Sequence, residues 1–421
     1  MLDLPVAPHP FPTITHIDDV WPALQGDKDA RSSFIRFDRD GYVSLDYVVT
    51  ISGVFGCLAT DDSEARTTAR LRREARGIKF CPKTGRIVAR PYPKFFNLGE
   101  TRETQPDGID WAAPLLVLEK LDGSMIHPTP VADGAGGTRL IYTTAGGDLL
   151  HEPVSRFIEA HPNADYAGFC QDLLAAGYTP IFEWVSPAPG QRIVLEYPGE
   201  NLILTAVRET QAGGFVDYDA MAAVAGAWGI PVVALWARGI GDIHGFIAEL
   251  RQRRDIEGVV IRWPGGESVK LKTDDYRMRH QFLEDVERED KALEIVLAGE
   301  EDDLLSTLAP SDQAALNTYA RAVRQAIAAL SHWAESTVTR FRAVHGDDRR
   351  RFVREVADTH ASFHRTLLLN TMNRGDARAQ LMRQLVEPQN QRVRDLAVAK
   401  QALGLPDWHR MRATSQATVL A

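Results

Sequence analysis

The sequence predicts an α+β chain, with an antiparallel-sheet domain in residues 1–283 and an all-helical domain in residues 284–421. Before residue 284, short runs rich in β-branched and aromatic residues are separated by Gly, Pro, Asn and Asp, which is typical of strands joined by turns. After it, apolar residues recur at three- and four-residue steps, which is typical of one helix face. An acidic run at 284–303, with ten carboxylates against two basic side chains, separates the two patterns.

The predicted elements of the first region are short. The runs "GYVSLDYVVTI", "RLIYTT", "PIFEWV", "RIVLEY", "NLILTAV" and "EGVVIRW" are predicted strands. The runs "EARTTARLRREA", "SRFIEAH" and "DIHGFIAELRQR" are predicted helices. Because these elements do not follow a regular βαβ order, the pattern favours an α+β domain dominated by antiparallel pairing.

The second region combines helical spacing with a basic charge balance. Residues 321–421 hold 17 Lys and Arg against 9 Asp and Glu, although the whole chain has a net charge of −9. A basic helical module beside an acidic domain is what RNA binding would need, and the arginines of residues 340–354 are its candidates. A solvated helix face is the alternative for these arginines. The apolar series are Leu316, Tyr319, Val323, Ile327 and Leu330; Phe352, Val356, Phe363 and Leu367; Leu381 and Leu385; and Val393 and Leu396.

Composition and cysteine spacing limit the class of protein. With 44% hydrophobic and 25% charged residues, the 421-residue chain has the composition of a soluble globular protein. Its three cysteines lie far apart, which argues against a zinc site or a disulfide framework and favours a reducing compartment. The amino terminus lacks the pattern of a secretory signal, and the apolar stretch 220–237 is interrupted by Gly229 and Pro231. We therefore expect a cytoplasmic protein without a membrane partner.

The stretch "LEKLDGSMIHP" at 118–128 contains the first candidate for chemistry, Lys120. Only nine of the 48 basic residues are lysines. Arginine keeps its proton under working conditions, whereas a desolvated lysine beside other cations can lose it and act as a nucleophile. Taken alone, however, a surface lysine paired with Glu119 or Asp122 would be the default interpretation.

The order of the motifs downstream of Lys120 favours the nucleophile. Glu183 lies in the predicted strand "IFEWV", and Glu257 opens the strand "EGVVIR". Lys270 and Lys272 are two residues apart in "VKLK", so they point to the same face of a strand. This ordered set resembles the signature of the covalent nucleotidyltransferases, which comprise DNA ligases, RNA ligases and mRNA capping enzymes.

The flanking blocks "EARGIKF", "ARPYPKFFNLGE", "FEWVSPAPGQRIVLEY" and "VKLKTDDY" resemble the RNA ligase 1 family of T-even phages over about residues 70–310. The resemblance implies a nucleotidyltransferase (adenylation) domain at 1–283. It further implies ATP-dependent joining of RNA 3′-hydroxyl and 5′-phosphate ends through lysyl-AMP and RNA-adenylate intermediates. Broken tRNA would be a substrate, and an end-healing kinase or phosphatase a partner. The helical domain would help to select the RNA.

The resemblance also assigns roles to individual residues. Lys120 would take the AMP, Glu183 would hold the ribose or assist catalysis, and Tyr276 would support the later steps. The cofactors would be ATP and Mg²⁺ or Mn²⁺, with Glu257 and Asp302 as metal ligands. For Asp302, in the block "AGEEDDL", a solvated acidic linker is an equal alternative. The positions expected to bind the nucleotide are Arg76, Lys94, Phe96, Glu119, Gly123, Glu183, Glu257, Lys270 and Lys272.

One departure from the family pattern keeps alternatives open. The family usually carries a basic residue where this chain has Ala145 in "IYTTAGGDLL". An RNA-binding or RNA-sensing protein that retains the ligase fold is therefore one alternative. A DNA ligase or GTP-using capping enzyme is another, although those usually continue with a small β-barrel. Phe95, next to Phe96, is predicted to be a core residue.

Overall fold

A computed structural model describes residues 2–48, 52–134, 136–188, 191, 193–300, 308, 310–387, 389 and 392–411. The chain divides into two compact units, Met1–Arg277 and Met278–Ala421. The helix Asp274–Glu287 contains both this division and the boundary predicted after residue 283.

The described part of the first unit contains twelve strands, which form three antiparallel four-stranded sheets ordered β1-β2-β3-β4, β10-β5-β11-β12 and β7-β6-β8-β9. The strands are β1 Phe34–Arg39, β2 Tyr42–Tyr47, β3 Ile78–Phe80, β4 Ile87–Ala89, β5 Leu116–Lys120, β6 Ser124–Ala132, β7 Thr138–Thr143, β8 Tyr178–Val185, β9 Asn201–Glu209, β10 Leu235–Arg238, β11 Gly258–Arg262 and β12 Ser268–Lys272.

Seven described helices accompany the sheets, and five of them begin at an aspartate cap. The seven helices are α1 Trp21–Leu24, α2 Lys28–Ser33, α3 Ser63–Glu74, α4 His151–Ala160, α5 Tyr166–Ala175, α6 Tyr218–Ala227 and α7 Ile243–Gln252, with short 3₁₀ turns at Ile17–Asp19, Ser52–Phe55, Arg102–Thr104 and Pro106–Gly108. The side chain of Asp62 accepts hydrogen bonds from two backbone N–H groups at the start of α3. Asp165, Asp217 and Asp242 cap α5, α6 and α7 in the same way, because an N-cap carboxylate satisfies N–H groups that the helix leaves open.

The sheet β10-β5-β11-β12 has an apolar face and an opposite face, here called the polar face, on which lysines stand beside apolar residues such as Leu118 and Val260. Val117, Val259 and Ile261 are fully buried on one face, where they pack with Leu250 of α7. Because side chains alternate along a strand, the residues between them point to the opposite face. The pairing places Gly258 beside both Lys120 and Lys272, and Val260 beside Lys270. The three lysines therefore share the polar face, as the spacing predicted for the last two.

One predicted strand is wrong. Described residues 193–197 of the run "RIVLEY" are not part of a strand. The backbone N–H groups of Val194 and Leu195 instead donate to Oδ2 of Asp122, at 2.7 and 2.6 Å. Because a distant carboxylate satisfies these donors, the segment does not need a neighbouring strand.

The described residues of the second unit are helical outside their connections. The elements that follow Asp274–Glu287 are Glu289–Ala298, Pro310–His345, Arg349–Glu355, the 3₁₀ turn Ala357–Thr359, Ser362–Arg374, Ala377–Leu385 and Leu396–Leu403. All the apolar series that predicted helices contribute to one core, where Tyr319, Val323 and Leu381 are fully buried. The predicted fold class, antiparallel sheets followed by a helical region, is confirmed. Among the described residues, no helix combines the length and the apolar character that a membrane span requires.

Candidate active site

Lys120 is the last residue of β5, and the turn Leu121–Gly123 connects it to β6. Gly123 is needed there because a Cβ atom at this position would lie 2.3 Å from the carbonyl oxygen of Trp184. Gly258, opposite Lys120, has φ +148° and would bring a Cβ atom to 2.0 Å from the carbonyl oxygen of Leu271. The two glycines thus allow the close strand approach that holds Lys120 at the edge of the polar face.

Glu257 connects two of the lysines. Its Oε1 lies 2.8 Å from Nζ of Lys120 and 3.0 Å from Nζ of Lys272. The Glu257 side chain is only 3% exposed, whereas the lysine side chains are 19% and 23% exposed. A buried carboxylate therefore orients two amines that solvent, or a ligand, can still reach.

A cavity of about 170 Å³, which we call the lysine cavity, opens beside this pair. Glu119 and Gly123 line it next to Lys120. Burial raises the pKa of the Glu119 carboxyl group. The lining residues are Arg76, Tyr92, Phe95, Leu118, Glu119, Lys120, Leu121, Gly123, Met125, Glu183, Thr205, Val233, Val260, Arg262 and Lys270.

The lysine cavity is rich in cations, and its charges shift the pKa of two groups. Burial, together with the positive charges of Arg76 and Lys120, lowers the pKa of Lys270 to about 6. Burial and the negative charge of Glu257, opposed by the positive charge of Lys120, raise the pKa of Glu183 to about 7. At neutral pH the Lys270 amine is largely uncharged, so an anionic ligand would favour its protonation.

Tyr276 and Asp122 form a second contact near the lysines. The Tyr276 hydroxyl donates to Oδ1 of Asp122 at 2.6 Å, and Nζ of Lys272 lies 4.8 Å from the centre of the Tyr276 ring. Burial raises the pKa of Tyr276, and the negative charges of Glu257 and Asp122 raise it further. Tyr276 thus fixes the turn that follows Lys120, rather than lining the lysine cavity itself.

Lys94 and Phe96 face a different cavity from Lys120. This second cavity of about 460 Å³, here called the aromatic cavity, is lined among others by Lys94, Phe96 and Trp263. Nζ of Lys94 donates to the Tyr47 hydroxyl at 3.3 Å. Phe96 is 1% exposed and belongs to the core of the first sheet.

Phe95, which was predicted to be core, lines both cavities. The Arg76 guanidinium lies 5.6 Å from the centre of its ring, and Nζ of Lys270 lies 5.1 Å from it. The structure therefore puts Phe95, and not Phe96, beside Lys120. Neighbouring side chains of an extended segment point to opposite sides, so Phe95 reaches the lysine cavity while Phe96 packs into the core of the first sheet.

The turn that carries Ala145 receives a lysine from elsewhere in the chain. Nζ of Lys79, on β3, donates to the carbonyl oxygens of Thr144 and Ala145 at 3.1 and 3.2 Å and to Oγ of Ser44 at 2.9 Å. Lys79 is fully buried, and burial lowers its pKa to about 7. Its amine stabilises the turn by these hydrogen bonds and does not line the lysine cavity.

Asp302, the second predicted metal ligand, lies outside the described residues. Within the described residues, no group of three or more His, Cys, Asp or Glu side chains is arranged to hold a metal ion. A site built on Glu257 would therefore need oxygen ligands from a bound nucleotide or from water.

Comparison with known proteins identifies the family. A family model described as RNA ligase matches residues 74–282. A putative RNA ligase of Thermovibrio ammonificans is 40% identical over 148 residues, which are 35% of this chain and 36% of that protein. RNA ligase 1 of bacteriophage TS2126 is 30% identical over 318 residues, which are 72% of this chain and 74% of the phage protein. The chain belongs to the RNA ligase family. The family predicted from the motifs is thereby confirmed, and the matched part spans about a third of the Thermovibrio protein.

Solved structures also match parts of this RNA ligase family member. An archaeal ATP-dependent RNA ligase, form 2, is 16% identical and has a TM-score of 0.39, with 50% of this chain and 55% of that chain covered. A K326A mutant of the Naegleria gruberi RNA ligase with ATP and Mn is 12% identical and has a TM-score of 0.31, with 40% of this chain and 52% of that chain covered.

Sequence reasoning missed two residues near the site of this family member. Asp122 was named only as a surface partner for Lys120, yet it joins the turn to residues 194 and 195 and to Tyr276. Arg262 was overlooked although it stands two residues from Val260 on the polar strand face. An arginine inside the apolar run "GVVIRW" was the available signal, because a charged residue in a buried strand requires a partner.

Proposed function

We propose that this protein is an ATP-dependent RNA ligase that joins 3′-hydroxyl and 5′-phosphate ends of RNA. The observation that carries the proposal is the shared polar face of Lys120, Lys270 and Lys272, which opens to a cavity with a surplus of positive charge. A triphosphate provides the negative charge that such a cavity lacks. Membership of the RNA ligase family supports RNA as the second substrate.

In the first step, Lys120 accepts AMP. Its uncharged Nζ attacks the α-phosphorus of ATP, the bond from that phosphorus to the bridging oxygen breaks, pyrophosphate leaves and Nζ loses a proton. Oε1 of Glu257, 2.8 Å from Nζ of Lys120, orients the amine for this attack. Lys270, Lys272 and Arg76 neutralise the charge that develops on the phosphate oxygens.

In the later steps, AMP passes from protein to RNA and is then released. An oxygen of the RNA 5′-phosphate attacks the phosphorus of lysyl-AMP, the bond from that phosphorus to Nζ breaks, and Nζ takes up a proton and leaves as the Lys120 amine. The RNA 3′-hydroxyl then attacks the 5′-phosphorus, loses its proton and displaces AMP. Glu183, with a pKa of about 7, is placed beside Lys120 in the lysine cavity and can exchange a proton near neutral pH.

The chemistry also calls for Mg²⁺ or Mn²⁺, and Glu257 is the described carboxylate that suits it. Magnesium is usually held by one or two carboxylates together with substrate phosphates, so a site with few protein ligands fits. The ion would neutralise charge on the triphosphate. Asp302 stays a predicted second ligand.

The second unit is proposed to select the RNA. Five arginines on two of its helices, within residues 340–354, are exposed, and residues 321–421 carry a surplus of positive charge. Exposed arginines bind phosphates and give salt-dependent affinity for RNA. Broken tRNA, together with an end-healing kinase or phosphatase, is the proposed setting. The five are Arg340, Arg342, Arg349, Arg350 and Arg354.

A nucleotide-labelling assay tests the proposed function. The purified protein is incubated with Mg²⁺ and either α-labelled ATP or α-labelled GTP, and acid-stable label on the protein is measured. We expect label from ATP. Label from GTP alone would contradict the ligase and indicate a capping enzyme, and no label from either would favour an RNA-binding protein.

A panel of RNA substrates tests the finer proposal. Nicked, single-stranded and anticodon-cleaved RNAs with 3′-hydroxyl and 5′-phosphate ends are compared for sealing at equal concentration. We expect the cleaved tRNA to be sealed most efficiently. Equal sealing of all three would contradict the tRNA setting while leaving the ligase activity intact.

A further inference from the structure

Arg262 lies at the other end of the polar face from Lys120. In the sheet, Gly258 pairs with Lys120 and Arg262 pairs with Leu116, so Arg262 lies four residues along β11 from the position that faces Lys120. Four residues of an extended strand span about 13 Å. Arg262 nevertheless lines the same lysine cavity, with Val260 between the two ends.

The Arg262 guanidinium is buried without an acidic partner. Arg262 is 8% exposed, and no described Asp or Glu side chain forms an ion pair with it. Its NH2 group donates to the Tyr92 hydroxyl at 2.5 Å, and NH1 makes a long contact of 3.4 Å with the carbonyl oxygen of Thr205. Its Nε–H is buried and has no hydrogen-bond partner in the described structure. A guanidinium has five N–H donors, so most of them are left for another acceptor.

A buried cation of this kind destabilises the protein. Burying an ion without a compensating partner is unfavourable because the ion loses its hydration. The rings of Tyr92 and Phe215, each with its centre 5.3 Å from the Arg262 guanidinium carbon, offset part of this cost. A ligand in the lysine cavity with acceptor atoms at this end would satisfy the remaining donors.

The surroundings indicate which part of a nucleotide reaches Arg262. The charged groups Lys120, Glu183 and Lys270 suit the sugar and phosphates. Leu118, Val233 and Val260 form an apolar stretch that suits the flat surface of a base. The register of β8 and β9 shifts at Thr205, which has no partner in β8, and its carbonyl oxygen faces Arg262. The Arg262 guanidinium, a donor, and the Thr205 carbonyl oxygen, an acceptor, thus lie side by side. The adenine edge requires such a pair because it carries a ring nitrogen beside an amino group.

We infer that Arg262 is a specificity-determining residue that donates a hydrogen bond to a ring nitrogen of the adenine base. This inference rests on the proposed function, since it concerns the nucleotide of the same site. It assigns base recognition to the end of the lysine cavity opposite the nucleophile.

Calorimetric titration with ATP analogues tests this inference without relying on a variant. ATP is compared with 1-deaza-, 3-deaza- and 7-deaza-ATP, in each of which a CH group replaces one ring nitrogen. We expect one analogue to bind about 10- to 100-fold more weakly, because it would leave the buried Arg262 donor unpaired. If all four bind equally, the inference fails. If none binds, the proposed function fails with it.

The variant Arg262→Met sharpens the result, because methionine fills similar space without donors. We expect it to bind ATP about 10- to 100-fold more weakly than the wild type does, and to bind the weak analogue no worse than ATP. Its unfolding midpoint without ligand should not fall below that of the wild type, since the variant removes an unpaired buried charge. A variant that still discriminates against that analogue, or that binds ATP as the wild type does, would overturn the inference. Labelled lysyl-AMP, measured in parallel, shows separately whether the ligase chemistry occurs.

Discussion

Two groups of buried charges in the first unit contain similar residues, but the charges of one group are all paired and those of the other are not. In the group that we call the closed cluster, Arg90 and Arg208 both contact the carboxylate of Glu74, and all three side chains are at most 1% exposed. Four hydrogen bonds of 2.7–3.1 Å join the arginines to Glu74. Burial alone would raise the pKa of Glu74, but Arg208 and Arg90 hold it at about 2.

The group around Lys120 is left incomplete. Glu257 serves both Lys120 and Lys272, while Lys270 and Arg262 lack an acidic partner among the described residues. The arginines of the closed cluster, by contrast, share the Glu74 carboxylate and in addition donate to backbone carbonyl oxygens such as that of Gln211. A buried network stabilises the fold when all its charged groups have partners within the protein. A network with more cations than anions can instead bind an anion. Four predictions follow from this difference, and the largest effect is expected at the nucleophile.

Removal of the Lys120 amine should eliminate the chemistry. Lys120→Ala and Lys120→Arg should each lower the rate of lysyl-AMP formation by about four orders of magnitude or more, because alanine has no amine and arginine keeps its proton. Labelled ATP measures the rate, and thermal unfolding checks that both variants are folded. The exposed lysine Lys83, changed to Ala, is the matched control and should label normally. Labelling of either Lys120 variant would contradict the assignment.

Removal of the Glu74 carboxylate from the closed cluster should destabilise the fold instead. Glu74→Ala leaves two buried guanidinium groups without their carboxylate, and we expect a loss of about 3–5 kcal/mol in the free energy of unfolding. Urea unfolding measures the change. Glu64→Ala, on the exposed side of the same helix α3, should cost less than about 1 kcal/mol. A Glu74 variant as stable as the Glu64 variant would show that the cluster does not support the fold.

The pH dependence of stability should reveal the buried Lys270 amine. Its pKa is about 6 in the folded protein against 10.5 for the ordinary side chain. Between these values the unfolded chain binds one more proton than the folded protein, so its contribution to stability is complete above the upper value and is lost as pH falls towards the lower. One such group gives a slope of up to about 1.4 kcal/mol per pH unit.

Lys270→Met should lower the slope by the amount that one such group gives, whereas Lys83→Met should leave it unchanged. Lys79, whose pKa burial lowers to about 7, keeps its own contribution in both variants. Urea unfolding at several pH values within the window provides the comparison. Glu183 gives the opposite sign: its pKa is raised from 4.5 to about 7, so its contribution is complete below the lower value and is lost as pH rises through the upper. If Lys270→Met has the wild-type slope, the amine is not uncharged in the folded protein.

Phe95 and Phe96 offer the smallest and most local comparison. Phe95→Leu removes the ring beside Arg76 and Lys270 and should raise KM for ATP about 2- to 30-fold, the range of a cation–π contact of 0.5–2 kcal/mol. Phe96→Leu should leave KM unchanged and lower the free energy of unfolding by about 1–2 kcal/mol, because it removes core volume. Steady-state adenylation and urea unfolding separate the two effects. The reverse pattern would restore the predicted role of Phe96.

The sequence predicted the elements that depend on local periodicity. The strand "EGVVIRW" and the helix "EARTTARLRREA" have their counterparts in β11 and α3, and the helical series after residue 310 forms the second core. It failed at "RIVLEY", whose composition suits a strand but whose N–H groups bind Asp122, 72 residues earlier in the chain. Composition cannot reveal a partner at that distance. The roles predicted for Glu183, Tyr276, Lys94 and the other site residues stay predictions.

By itself, the sequence determined the family, the order of the site motifs and the common face of Lys270 and Lys272, because side-chain alternation within one strand is a local property. Only the tertiary structure decided that Glu257 would join Lys120 to Lys272, that Phe95 would line the lysine cavity, and that Arg262 would be buried without an acidic partner. Each of these depends on pairing between distant segments. A hydrogen-bond donor can be recognised as unpaired only when the tertiary structure shows which acceptors lie near it and which donors they already bind.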